Sequence, residues 1–173
     1  MRKAGVFIGC GGELEVPTKA FVILLMIGGR LCAQTVVTLE RGPCYGTCPV
    51  YKLTLYDSGK VVFEGKDHVR TKGTRTATIG KERVAELVAE FEKAGYFSFK
   101  DRYTAYHITD MPAAVTSVQA GRRVKRIEHY HGDSSAPKIL TALENKIDAA
   151  AGSNRWIGGE EGSARDVWDS MRR

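Results

Sequence analysis

Between positions 51 and 56 apolar and polar residues alternate. Tyr51, Leu53 and Leu55 fall on one side and Lys52, Thr54 and Tyr56 on the other, the pattern of a half-buried strand with one wet face. Asp57-Ser58-Gly59 is turn chemistry, and residues 61–64 resume as the returning strand, so residues 51–64 are expected to form a β-hairpin. Residues 36–40 predict a short strand before it. The polar stretch 66–75 follows, with His68 and Val69 as candidates for a third strand and residues 76–79 for another short one. At Val84 the period changes: Val84, Leu87, Val88 and Phe91 fall at i, i+3, i+4 and i+7, one apolar stripe on a helix of about three turns. Gly95 stands where a left-handed cap would end that helix. The aromatic run Tyr96-Phe97-Ser98-Phe99 is expected to plug the core.

Residues 115–120 and 123–130 flank Gly121 as a second hairpin. Ser134 and Ser135 are candidate caps, Pro137 suits a first helical turn, and Leu140, Leu143 and Ile147 give a second amphipathic helix closed by Gly152. Two hairpins and two helices without βαβ alternation predict an α+β fold, an antiparallel sheet with two amphipathic helices packed on one face. The domain is expected to span residues 34–152. Residues 153–173, rich in glycine and charge apart from Trp156 and Trp168, read as a loose C-terminal tail with one short helix from Ser163.

The N-terminus carries a different signal. Residues 20–29, AFVILLMIGG, are uncharged and apolar, but ten residues fall short of the about 20 needed to span a bilayer. With Lys19 before the run and the small Ala33 after it, residues 1–33 are expected to be a signal peptide cleaved to leave Gln34 first, placing the protein in the periplasm or secreting it. No stable transmembrane span would remain. Glu13 and Glu15 are unusual ahead of such a run, and a start at Val16, which would make residues 1–15 a mis-assigned extension, stands beside a start at Met1. Lipid attachment at Cys32 is disfavoured by Leu31, bulky where a small residue is wanted.

At 173 residues, with 43% hydrophobic and 27% charged residues, the chain has room for one folded domain, which excludes wholesale disorder and a polytopic membrane protein. The net charge of +6 is modest and spread along the chain. Arg122, Arg123, Lys125 and Arg126 concentrate it on the second hairpin, where charge commonly serves solubility, so no nucleic-acid partner is expected. Nucleotide-loop, nucleophile-elbow and zinc-helix motifs are all absent from the sequence.

Candidate chemistry is concentrated in Gly42-Pro43-Cys44-Tyr45-Gly46-Thr47-Cys48-Pro49. A turn bent by Gly46 between two prolines can bring the two cysteines within disulfide range, and an exported chain meets an oxidising compartment. A structural Cys44–Cys48 disulfide is therefore expected. The competing reading is a thiol-redox or metal-handling protein using the same two sulfurs, although their three-residue spacing is not the one that best lowers a thiol pKa. Tyr45, Gly46 and Asp110 are candidates for a functional loop, with Asp110, ahead of Met111-Pro112, read first as a turn residue. His129 and His131, two apart on a predicted strand, project to one face and are weak candidates for a metal. Asp110, His107 and His68 are candidate third ligands by residue type only, so no metal or cofactor is assigned.

The stretch Leu39-Glu40-Arg41-Gly42-Pro43-Cys44-Tyr45-Gly46-Thr47-Cys48-Pro49-Val50-Tyr51 closely resembles an uncharacterised bacterial family, the domain of unknown function 6438. The likeness continues in Tyr56 to Gly59, Val61 and Gly65, in Tyr103, Thr109-Asp110 and Pro112, and in Leu143-Glu144, Ile147-Asp148 and Trp156, covering roughly residues 36–157. The resemblance implies a fold unit behind an export leader and no reaction. It also implies an acidic residue where this chain has His129. The reading drawn from all of this is an exported, non-enzymatic binding or interaction domain whose envelope ligand or protein partner the residues do not name.

Overall fold

The computed structural model describes residues 34–105 and 110–158. The expected signal peptide, His107 and the helix expected from Ser163 lie outside the described residues. The described residues form a seven-stranded sheet with three helices, an α+β fold, in the order β1 Thr35–Arg41, β2 Val50–Tyr56, β3 Lys60–Asp67, β4 Gly73–Thr78, α1 Lys81–Lys93, β5 Arg102–Tyr103, β6 Ala113–Ala120, β7 Arg123–Tyr130, α2 Lys138–Ala151 and α3 Asn154–Ile157. A single 3-10 turn, Tyr96–Ser98, links α1 to β5. The spatial order is β4-β3-β2-β1-β6-β7-β5. Every neighbouring pair is antiparallel except β5 with β7.

One face of the sheet is apolar because the period-two pattern is in phase across the strands. Val37 and Leu39 of β1, Leu53 and Leu55 of β2, Val61 and Phe63 of β3, Val118 of β6 and Ile127 of β7 are all fully buried. The helices cover this face. Val84, Leu87 and Phe91 of α1 turn inward, as do Leu140, Leu143 and Ile147 of α2. Tyr96 fills the corner between them, edge-on to Phe91 at 4.9 Å, with its hydroxyl 2.6 Å from Thr116 Oγ1. That places the aromatic run in the core, as its sequence predicts. Gly95 and Gly152 take left-handed conformations, φ 75° and 61°, just after α1 and α2.

Three details of the sequence reading are corrected. His68 and Val69 belong to no strand. They lie in the bend after β3, His68 at φ 48°, and the next backbone amides bond to α3 (Arg70 N–H to Ile157 O, 2.7 Å; Thr71 N–H to Trp156 O, 3.0 Å). For the same reason the chain is not loose from residue 153: α3 lies in that stretch, Trp156 stacks on Phe63 at 5.1 Å, and Trp156 and Ile157 are buried. Neither Ser134 nor Ser135 caps α2, whose N-cap is Pro137 without a side-chain bond; Asp133 instead shapes the approach, accepting from the Ser135 and Ala105 amides.

Candidate functional site

A row of residues in register runs across the helix-covered face at one end of the sheet. Tyr51 of β2 lies opposite Arg41 of β1, Arg41 opposite Ala114 of β6, Ala114 opposite His129 of β7, and His129 beside Tyr103 of β5. Strand alternation therefore sends Arg41 and His129 to the side where Val37, Leu39 and Ile127 are buried. Ala114 stands between them with only a methyl group. Both neighbours reach the carboxylate of Glu144 from α2.

The contacts are dense. His129 Nδ1 lies 2.8 Å from Glu144 Oε1 and His131 Nε2 lies 3.0 Å from Oε2, while Arg41 Nη1 donates to Oε2 at 3.2 Å. Arg41 Nη2 continues to Asp148 Oδ2 at 3.1 Å and Asn145 Oδ1 at 2.9 Å. Asp148 Oδ1 accepts from the Tyr51 hydroxyl and from Ser153 Oγ, each at 2.7 Å. The two imidazoles stack with centroids 4.4 Å apart, and Tyr103 meets His129 edge-on at 6.4 Å. The Glu144 side chain is fully buried, and those of Arg41, His129 and His131 are nearly so.

Burial pushes the Glu144 carboxyl up, but the hydrogen bonds from His129 and His131 and the charge of Arg41 outweigh it and hold the group at about 2, below the usual 4.5. For Arg41, burial acts against the charge and is outweighed by Asp148, Tyr51 and Glu144, so its pKa is raised. Tyr51 is pushed up by burial and then by Asp148, and burial lowers His131 despite its bond to Glu144. The ring nitrogens of His129 and His131 and a carboxylate oxygen of Glu144 lie within 4.8 Å of one another, a donor set able to hold a metal ion.

Arg41 and Tyr51 are also the last ladder pair before the loop that carries the cysteines. Cys44 and Cys48 form a disulfide across a Cα–Cα separation of 5.7 Å. Within the ring Gly46 N–H bonds to Cys44 O at 2.9 Å, a three-residue turn with Tyr45 at its apex. Tyr45 is 87% exposed. Its amide donates to Asp110 O at 3.3 Å, and the Gly42 amide donates to Ala113 O at 2.8 Å, so the loop is tied to the segment leading into β6. Asp110 is an exposed bend residue at φ 72°, a conformation Asp tolerates better than most.

The structure thus gathers the predicted Cys44, Cys48, Tyr45, Gly46 and Asp110 at one loop, and places His129 and His131 in the buried cluster. His68 is not among the clustered donors and pairs with Asp67 at the surface. Sequence reasoning left out Arg41 and Tyr51 as functional residues, and Glu144 and Asp148 entered only as marks of the resemblance. A signal was present: Arg41 continues the Val37–Leu39 phase, and Glu144 falls inside the Leu140, Leu143, Ile147 stripe, a charged group at a core position in each case. The basic cluster of the second hairpin is partly neutralised, since Arg123 pairs with Glu92 and lies over Phe97, and Lys125 pairs with Asp101.

These features define an α+β domain with an ionic cluster buried at one sheet end, next to a disulfide-closed loop. Residues 35–151 match the domain of unknown function DUF6438, and the chain belongs to that family. Among curated proteins no match is found.

Proposed function

We propose that the protein is an exported, non-enzymatic binding or interaction domain of the cell envelope, in which the Cys44–Cys48 disulfide holds a recognition loop. The observation that carries this reading is the exposure of Tyr45 at the apex of a loop constrained by the disulfide and by two backbone bonds. A large aromatic with a polar tip, held in place before it meets a partner, contributes contact area at low entropic cost. Export is supported by the disulfide, which persists in oxidising compartments, together with the apolar run behind Lys19. Among the described residues no helix is long and apolar enough to cross a membrane.

The competing thiol-redox reading requires the same pair to cycle. Protein isolated from the envelope under alkylating conditions should start near Gln34 and carry an oxidised pair with a reduction potential below about −300 mV. The Cys44→Ser/Cys48→Ser variant should still fold, losing at most about 2–3 kcal/mol for so short a ring. A potential near about −200 mV with a thiol pKa below about 7 would transfer the assignment to redox chemistry. A cytoplasmic chain beginning at Met1 would remove export.

A further inference from the structure

We propose that His129, His131 and Glu144 form a binding site for a divalent transition-metal ion of the zinc class, independent of the Tyr45 loop. The donor set is two imidazole nitrogens and a carboxylate, the chemistry that zinc, cobalt, nickel and copper favour over magnesium or calcium. His129 contributes Nδ1 and His131 contributes Nε2, and both nitrogens face the same carboxylate, at 2.8 and 3.0 Å. Two ligands on one zinc ion stand about 3.3 Å apart for bonds of about 2.0–2.1 Å at a tetrahedral angle. The three donor atoms lie within 4.8 Å of one another, so side-chain shifts of up to about 1.5 Å seat the ion. Water would complete the shell.

A further observation is the support around the ligands. Arg41 holds Glu144 Oε2, and Asp148, itself fixed by Tyr51 and Ser153, holds Arg41, the kind of outer shell that orients metal ligands. Neither cysteine takes part, because both are committed to the disulfide.

The test uses the full chain, stripped with chelator and titrated with Co2+ and separately with Zn2+. One equivalent of Co2+ should bind with the intense visible absorption of a low-coordinate site, and Zn2+ should displace it. His129→Ala and His131→Ala should each weaken binding about tenfold or more, while His68→Ala leaves it unchanged. Imidazole nitrogen NMR of the unmutated protein reads the site without any variant: Zn2+ should move the Nδ1 resonance of His129 and the Nε2 resonance of His131. Absence of Co2+ absorption, binding undiminished in both alanine variants, or Zn2+ binding that leaves those two nitrogens unmoved would each overturn the proposal.

Discussion

Replacing Glu144 with Gln keeps the shape of the side chain and removes its charge, so it isolates what that charge contributes to the metal-free fold. Holding the carboxyl at about 2 against 4.5 in an open chain, at about 1.4 kcal/mol per tenfold change in proton affinity, corresponds to about 3 kcal/mol. A second route agrees. Breaking a buried ion pair by removing one partner costs about 3–5 kcal/mol, and Arg41 keeps Asp148 and Asn145, so the lower end applies here. Because the folded-state pKa is depressed, the contribution is present in full above about pH 4.5 and is lost as pH falls toward 2. Urea titrations of wild type and Glu144→Gln with chelator present should differ by about 3 kcal/mol at about pH 7, and by less than half of that at about pH 3. A difference below about 1 kcal/mol at the higher pH, or one that does not change with pH, would refute the claim that the ionised carboxylate organises the cluster.

Two other substitutions test the packing around it. Phe91→Ala deletes a fully buried ring that meets Tyr96 edge-on and should cost about 3–5 kcal/mol by denaturant titration; a loss below about 1 kcal/mol would mean that α1 does not seal the sheet. Ala114→Leu adds bulk between Arg41 and His129, the two strand residues that meet Glu144, and should cost about 1–3 kcal/mol while reducing the dependence of stability on Glu144. Equal effects of Glu144→Gln in the wild-type and Ala114→Leu backgrounds would count against that coupling.

The sequence by itself determined the elements whose signal is local. Tyr51, Leu53 and Leu55 mark a strand because side chains alternate across a sheet, and Val84, Leu87 and Phe91 mark a helix because they share one face of it. The turn at Gly59 and the left-handed glycines after α1 and α2 were legible for the same reason. So was the Cys44–Cys48 pair, whose partners are four residues apart. What depends on contacts between distant segments was not legible. Bonds from residues 70 and 71 to α3 decide that the bend after β3 is not a strand and that Trp156 belongs to the core. The ionic cluster is the extreme case. Arg41 and Glu144 are 103 residues apart, and each alone looks like an ordinary charged residue at a strand end or within a helix. Only the register Arg41–Ala114–His129, with α2 laid across it, turns these separate positions into one buried site, because ladder pairing and helix docking are set by the whole core and not by any local stretch of chain.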